Sequence, residues 1–180
     1  YRMIDTAEAY GNERAVGEGI LKSGVDRKEL FVVTKENFKS YENAEQTVMQ
    51  SLGNLQTDYI DLLLLHWSFA NYYAAWRALE KLYAEGKVRA IGVSDFEPDR
   101  LLDLIAYNKV VPAVNQIETN LYCQRVSERI WMDKSRVAHM AYAPLGQGSR
   151  NEMFAEPAVS ALAEKYGKTP AQILLRFLVQ

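Results

Sequence analysis

The amino-acid sequence predicts an α/β protein built around a parallel β-sheet. Two observations carry this prediction: short β-type runs alternate with amphipathic helical segments, and several of the runs are almost continuously apolar. Strands that are buried on both faces, as in a parallel sheet, have this continuous apolar pattern. Strict alternation of strand and helix implies right-handed crossovers, and therefore strands that all run in the same direction.

Six runs have the residue pattern of strands. In chain order they are "RMIDTA" (2–7), "LFVVTK" (30–35), "YIDLLLLHW" (59–67), "VRAIGVS" (88–94), "PAVNQIE" (112–118) and "VAHMAYA" (137–143). No repeat, linker or low-complexity tract divides the chain, which indicates one domain over residues 1–180. The boundaries of the helices between the strands follow from capping residues and apolar spacing.

Two helices are indicated by apolar side chains that recur on one face. Residues 44–55 and 71–85 show this spacing, with Ala44, Val48, Leu52 and Leu55 in the first and Tyr72, Trp76, Leu79 and Tyr83 in the second. We expect these side chains, including the aromatic rings, to lie in the core. Gly86 is typical of a helix C-terminus. Pro98 predicts another helix start, and Thr169 followed by Pro170 is typical of an N-cap with proline at the first helical position.

The composition of the chain excludes several classes of protein. The chain is 48% hydrophobic and 24% charged with a net charge of −2, which is ordinary for a globular domain. Acids and bases are mixed, so no basic tract predicts a nucleic-acid partner, and no apolar run has the length of a membrane span. Cys123 is the only cysteine, which excludes an internal disulfide. We therefore expect a cytoplasmic monomer without a nucleic-acid or membrane partner.

Two parallel α/β folds fit the pattern, an open doubly wound sheet and a (β/α)8 barrel. The chain lacks the G-x-G-x-x-G motif that a dinucleotide-binding open sheet should show after its first strand, and it lacks a P-loop. Instead, a polar or ionisable residue lies near the carboxyl end of almost every strand: Asp5, Lys35, His66, Ser94 with Asp95, Asn115 with Gln116, and Tyr142. Barrel enzymes assemble their active sites at that position, so the barrel is favoured.

Six short motifs resemble the aldo-keto reductase family, in the family's order and across essentially the whole chain. They are "DTAEAYGNE", "VVTK", "LLLLHW", "IGVSDF", "VNQIE" and "AYAPLG". The resemblance is strongest to small bacterial reductases that act on glyoxals and 2,5-diketo-gluconate. It implies a (β/α)8 barrel that reduces a small-molecule carbonyl substrate with NADP(H). NAD(H) stays an alternative, because the Lys-Ser motif with a following Arg that binds a 2′-phosphate is absent from these residues.

The number of predicted strands is smaller than a complete barrel requires. A (β/α)8 barrel has two strands more than the six predicted here. The resemblance places the first run at the family's second strand and the last residues in the helix before the eighth. We therefore expect these residues to be part of a longer protein.

Carbonyl reduction explains three of these polar residues, together with Tyr10 in the loop after the first strand. Hydride delivery to a carbonyl carbon builds negative charge on the oxygen, so a positioned acid must donate a proton there. Tyrosine ordinarily ionises with a pKa of about 10, and a nearby ammonium favours the phenolate. We expect Tyr10 to be the acid, Lys35 the ammonium and Asp5 its salt-bridge partner, with His66 donating to the same oxygen. The resemblance implies the same catalytic set.

The resemblance also implies cofactor and substrate residues. Ser94, Asp95 and Gln116 correspond to residues that bind the nicotinamide carboxamide, and Tyr142 to an aromatic residue that stacks on the ring. Asp95 departs from the family's asparagine, and an ionised carboxylate accepts but does not donate. Trp67 and Phe38 are expected to line the substrate pocket. Relatives often have Leu-Trp after the catalytic lysine; this chain has Glu36-Asn37, so the resemblance does not define the shape and polarity of the pocket here.

Two rival functions follow from other classes of protein. Barrels of this size include metal hydrolases, but only two histidines are present and neither H-x-H nor H-E-x-x-H occurs, so no metal site is predicted. Alternatively, the protein is a regulatory or structural relative that binds the cofactor with little turnover. The complete set of four catalytic residues favours the enzyme. His139 lies early in its strand and is expected to be structural.

Overall fold

The six predicted strands form one parallel sheet in a computed structural model that describes residues 1–180. The strands are β1 (Met3–Asp5), β2 (Phe31–Glu36), β3 (Leu62–Leu65), β4 (Ile91–Ser94), β5 (Val114–Glu118) and β6 (Ala138–Tyr142). Each strand pairs in parallel with the next one in the chain. Sequential order is the arrangement of a (β/α)8 barrel, whereas a doubly wound sheet reverses its strand order. The predicted fold class is confirmed.

Eight α-helices connect or follow the strands. They are α1 (Glu13–Lys22), α2 (Ala44–Leu55), α3 (Tyr72–Ala84), α4 (Pro98–Tyr107), α5 (Val126–Ser135), α6 (Arg150–Ala155), α7 (Pro157–Tyr166) and α8 (Pro170–Val179). Short 3-10 turns at Glu8–Tyr10 and Phe38–Asn43 follow β1 and β2. The predicted caps are confirmed: Pro98 and Pro170 begin their helices, and the Thr169 side chain accepts a hydrogen bond from the backbone of Gln172.

Alternation along the strands divides their side chains between two faces. The outer face, which includes Val32, Leu63 and Leu65, packs on the helices in a core cluster of 25 buried residues. The inner face holds a small apolar cluster of Val33, Leu62 and Leu64. The same alternation shows which of the polar residues predicted at the strand ends lie on the inner face. Those with the spacing of the inner face are Asp5, Lys35, His66, Ser94, Gln116 and Tyr142.

The inner face is closely packed below these polar residues. A Cβ atom on Gly92 of β4 would lie 2.6 Å from the carbonyl oxygen of Val114 and 2.8 Å from a methyl carbon of Leu64. No side chain fits there without moving the backbone of β5. Glycine is therefore required at this position by the approach of two neighbouring strands.

One predicted core aromatic was assigned wrongly. Tyr72, Trp76 and Leu79 of α3 are buried as expected, but Tyr83 is 42% exposed and Leu82 is buried instead. Towards its C-terminus α3 contacts the sheet through the side that carries Ala75, Leu79 and Leu82. Tyr83 lies beyond that side, where it lines an outer cleft with Tyr107.

Candidate active site

Lys35 and Asp5 form an ion pair on the inner face. The Lys35 side chain is 2% exposed, and its ammonium pairs with the Asp5 carboxylate while donating to the carbonyl oxygen of Thr6 at 2.9 Å. The two residues lie on neighbouring strands, because Asp5 is opposite Val33 in the β1–β2 register. The predicted geometry of this pair is confirmed. A buried ammonium with these two partners is held in place at the end of the strand.

His66 lies directly after β3 in a buried position. Burial, and then the charge of Lys35, lower the pKa of its imidazole to about 4, although the Asp5 carboxylate opposes the shift. The ring is therefore neutral at neutral pH. Nδ1 is buried without a hydrogen-bond partner. Because a buried N–H without a partner is costly, we infer that the proton is on Nε2.

Tyr10 lies above this pair on the turn that follows β1. Gly11, at a left-handed φ of 64°, ends the turn. The Tyr10 ring centroid is 5.2 Å from the Lys35 ammonium nitrogen, and the ring meets His66 edge-on with a centroid distance of 5.9 Å. The structure thus brings the four predicted catalytic residues together. The Tyr10 ring is 55% exposed, so a small molecule can reach it.

The residues predicted to hold the cofactor form a second group on β4, β5 and β6. The Ser94 hydroxyl donates to the carbonyl oxygen of Gln116 at 2.9 Å, and the Gln116 side chain donates to Asp5 at 2.8 Å. The Tyr142 hydroxyl donates to the Asp95 carboxylate at 3.3 Å. Burial raises the pKa of Asp95, and burial together with the charge of Asp95 raises the pKa of Tyr142 to about 12. The two groups meet where Gln116 contacts Asp5.

Asn115 has a role that sequence reasoning missed. Asp95 has a φ of 53°, which is unusual for a residue other than glycine. The Asn115 side-chain amide donates to the carbonyl oxygen of Phe96 at 2.8 Å and accepts from its N–H at 3.4 Å. These two bonds hold the turn after β4 and thereby orient Asp95. Asn115 therefore points to the outer face and differs from its neighbour Gln116.

Aromatic side chains flank the predicted catalytic residues. Trp67 stacks on the imidazole of His66 at a centroid distance of 3.6 Å, and Phe38 meets Trp67 edge-on at 5.6 Å. Phe69, which was not predicted, meets Phe38 edge-on at 5.7 Å and is 57% exposed. The sequence signal for Phe69 was its place two residues after Trp67 in the same loop. Together, these rings form an apolar wall beside His66.

Glu36 is buried on the outer face, where the family often has leucine. It is 1% exposed, one of its carboxylate oxygens has no hydrogen-bond partner, and burial, with Glu8 and Glu13 nearby, raises its pKa to about 9. The Asn37 side chain accepts a hydrogen bond from the N–H of Lys39 and so caps the turn that follows. The Glu36 carboxylate therefore faces the helices and does not change the polarity of the inner face.

The position of this polar group at the carboxyl ends of parallel strands defines a βα-barrel protein with a site at the mouth of the barrel. The model of the Aldo/keto reductase family matches residues 1–180. The chain belongs to the aldo/keto reductase family.

Curated relatives come from bacteria and a protozoan. The chain is 41% identical to morphine 6-dehydrogenase of Pseudomonas putida, with 100% of this chain and 66% of that protein covered. It is 42% identical to 9,11-endoperoxide prostaglandin H2 reductase of Trypanosoma cruzi, with 100% and 65% covered. It is 38% identical to methylglyoxal reductase DkgA of Escherichia coli, with 98% and 65% covered. The chain thus spans slightly less than two thirds of the length of these relatives.

Solved structures of the family superpose closely. The aldo/keto reductase of Brucella melitensis gives a TM-score of 0.94 at 39% identity, with 99% of this chain and 70% of that chain covered. The Bombyx mori aldo-keto reductase in complex with NADP gives 0.93 at 34% identity, with 99% and 66% covered. No helix of the present structure is long and apolar enough to cross a bilayer.

Proposed function

We propose that this protein is an NADP(H)-dependent reductase of aldehyde and ketone carbonyls, with Tyr10 as the proton donor. The observation that carries the proposal is the buried Lys35 ammonium, paired with Asp5, near the exposed Tyr10 ring. In this proposal the 180 residues act as one domain of a barrel reductase. The names of the relatives, which include a methylglyoxal reductase and a prostaglandin reductase, support a small carbonyl substrate.

The proposed roles of the residues follow from the charge that develops on the carbonyl oxygen. A nicotinamide held by the residues of β4 to β6 would supply the hydride for the carbonyl carbon. The Tyr10 hydroxyl donates its proton to the oxygen, and the Lys35 ammonium stabilises the phenolate that remains. Asp5 holds the ammonium in position. Neutral His66, with its proton on Nε2, donates a hydrogen bond to the same oxygen and orients the carbonyl.

The chemistry of the cofactor residues fits a carboxamide, which offers one acceptor and one N–H donor group. The Gln116 amide donates and the Asp95 carboxylate accepts, so the two provide complementary groups on neighbouring strands. Ser94 supports Gln116 from below, and the Tyr142 ring offers a flat face for stacking. We propose that these four residues bind NADP(H), with NAD(H) as the alternative that affinity measurements decide.

The proposed substrate pocket is lined by His66 and by the aromatic wall of Phe38, Trp67 and Phe69. Apolar rings beside a polar catalytic group favour a carbonyl with an apolar or aromatic substituent. The single cysteine, Cys123, supports a reducing compartment, and we propose the cytoplasm. We further propose a monomer that needs no nucleic-acid or membrane partner.

A direct assay tests the proposed function. The full-length protein is mixed with NADPH and either methylglyoxal or 4-nitrobenzaldehyde, and NADPH oxidation is followed by absorbance. We expect turnover that saturates with the aldehyde, and faster oxidation of NADPH than of NADH. Tight NADPH binding without oxidation of the cofactor by either aldehyde would favour the regulatory alternative and contradict the enzyme.

A further inference from the structure

Glu8 joins the turn that carries Tyr10 to the loop that follows β2. One oxygen of its carboxylate accepts a hydrogen bond from the backbone N–H of Asn37 at 2.8 Å, and the other accepts from the Ser40 hydroxyl at 2.7 Å. Glu8 is two residues before Tyr10 in a turn of three residues. Because both oxygens are bound by one loop, the carboxylate has little freedom to rotate, and the turn is fixed relative to that loop.

Tyr41 makes a similar connection between the loop after β2 and the loop after β3. Its hydroxyl donates to the carbonyl oxygen of Trp67 at 2.7 Å and accepts from the N–H of the same residue at 3.2 Å. The side chain is 2% exposed, so water does not readily replace these bonds. Trp67 directly follows His66 and stacks on it.

The two connections lie in series. The Tyr10 turn is held to the loop after β2 by Glu8, and that loop is held to the residue next to His66 by Tyr41. Neither Glu8 nor Tyr41 lies on the inner face of the sheet, and neither contacts the proposed reacting atoms. Loops of this kind are the most mobile parts of a barrel unless side chains fix them.

We propose that Glu8 and Tyr41 are positioning residues that fix Tyr10 relative to His66, and so determine kcat rather than cofactor affinity. This inference rests on the proposed function, because it assigns the relative placement of its acid and its hydrogen-bond donor. Catalytic rates are sensitive to such placement: a displacement of about 1 Å can reduce a rate by about a hundredfold. The residues proposed to bind the cofactor lie on β4 to β6 or directly after β4, and neither Glu8 nor Tyr41 makes a hydrogen bond to them.

Three variants of the full-length protein separate hydrogen bonding from charge and from packing. Glu8→Ala removes both bonds to the loop after β2. Glu8→Gln keeps them, because its amide oxygen accepts from Asn37 and its amide nitrogen donates to the Ser40 hydroxyl. Tyr41→Phe removes the hydroxyl and keeps the buried ring. Glu18→Ala is the matched control, since Glu18 forms ion pairs with Arg14 and Lys22 on the surface of α1.

We expect Glu8→Ala and Tyr41→Phe each to lower kcat by about tenfold, with the dissociation constant of NADPH changed by less than about twofold. Glu8→Gln should retain most of the native kcat, and Glu18→Ala all of it. Because the connections are in series, the double variant Glu8→Ala/Tyr41→Phe should lose less than the product of the single losses. A purely structural role would instead lower thermal stability and cofactor affinity together with kcat.

Amide hydrogen exchange gives a readout that does not depend on turnover. We expect exchange at Asn37 to rise in Glu8→Ala and exchange at Trp67 to rise in Tyr41→Phe, with neither rising in Glu8→Gln or Glu18→Ala. Native kcat or native exchange in Glu8→Ala would overturn the inference, as would Glu8→Gln being as impaired as Glu8→Ala. If the unaltered protein oxidises no NADPH, the proposed function fails, and the exchange rates alone decide whether these side chains fix the loops.

Discussion

Gln116 donates a hydrogen bond of 2.8 Å to Asp5, although the two residues are 111 positions apart in the chain. Asp5 ends β1 and Gln116 lies in β5. In a flat sheet these strands would be separated by about 19 Å, since neighbouring strands lie about 4.8 Å apart. Two short side chains cannot bridge that distance. The bond therefore requires a strongly curved sheet in which the first and fifth strands face each other across the interior, as in a barrel.

Replacing Gln116 tests its proposed role in cofactor binding. Gln116→Leu keeps the approximate volume and removes the amide, so both the bond to Asp5 and the proposed donor to the carboxamide are lost. Losing a hydrogen-bond partner in a buried site costs about 1–3 kcal/mol. We expect NADPH to bind at least about fivefold more weakly, as measured by fluorescence titration, while exposed Gln124→Leu binds as the native protein does. Native affinity in Gln116→Leu would remove this residue from the cofactor site.

Tyr10→Phe tests the proton donor. The variant removes one oxygen and keeps the ring, so packing and cofactor affinity should change little. General acid catalysis contributes about two to four orders of magnitude, so single-turnover hydride transfer to an aldehyde should fall by at least about a hundredfold. Tyr142→Phe should have a mild effect because its ring can still stack. Near-native hydride transfer in Tyr10→Phe would show that another group is the acid.

The neutral state of His66 can be observed by NMR. A histidine ordinarily titrates near pH 6.5, but burial and the Lys35 ammonium lower the pKa of this imidazole to about 4. Nitrogen chemical shifts should show a neutral ring with the proton on Nε2 from about pH 5 to about pH 8. In the unfolded chain, the same imidazole takes up a second ring proton below about pH 6.5. The folded state should therefore lose stability as the pH falls towards 4. A midpoint near 6.5 would contradict this environment for His66.

Glu36 should make stability depend on pH in the opposite direction. Its pKa is raised from 4.5 to about 9, so the unfolded chain releases the proton at a lower pH than the folded protein does. Stability from this group is complete below about pH 4.5 and declines as the pH rises towards 9. Glu36→Gln, which resembles the protonated carboxyl group, should remove that decline.

Urea unfolding at several pH values measures the effect of Glu36. The free energy of unfolding of Glu36→Gln should exceed that of the native protein by an amount that grows by up to about 1.4 kcal/mol per pH unit. Glu45→Gln on α2, which removes an exposed carboxylate paired with Lys81, should show no such growth. A constant difference between Glu36→Gln and the native protein from about pH 5 to about pH 8 would mean that Glu36 ionises normally.

Sequence patterns predicted the features that depend on local spacing. Continuous apolar runs indicated the strands, polar residues such as Lys35 and His66 at their carboxyl ends indicated a site at the mouth of a barrel, and the Thr169-Pro170 pair indicated the start of α8. These features are readable because they depend on periods and caps within a few residues.

The features that sequence patterns missed depend on contacts between distant elements. Tyr83 has the spacing of a core residue, but near its C-terminus α3 buries the side that carries Leu79 and Leu82, and Tyr83 lies outside it. Asn115 is one of the polar residues at the strand ends, yet its amide is bonded to the backbone of Phe96. The bonds from Glu8 to the loop after β2 join residues about thirty positions apart, and no local pattern encodes such contacts.

The contact between Gly92 and the backbone of β5 has a consequence for how the family can diverge. The carbonyl oxygen that would lie 2.6 Å from a Cβ atom at this position belongs to a strand, and it cannot rotate away as a side chain can. Selection on Gly92 therefore acts through folding, whereas selection on Tyr10 would act through the reaction that we propose for it. A descendant that abandoned catalysis would be free to lose the tyrosine but would still need the glycine. The residues at these two positions would therefore distinguish a catalytically inactive family member from an active one by sequence alone.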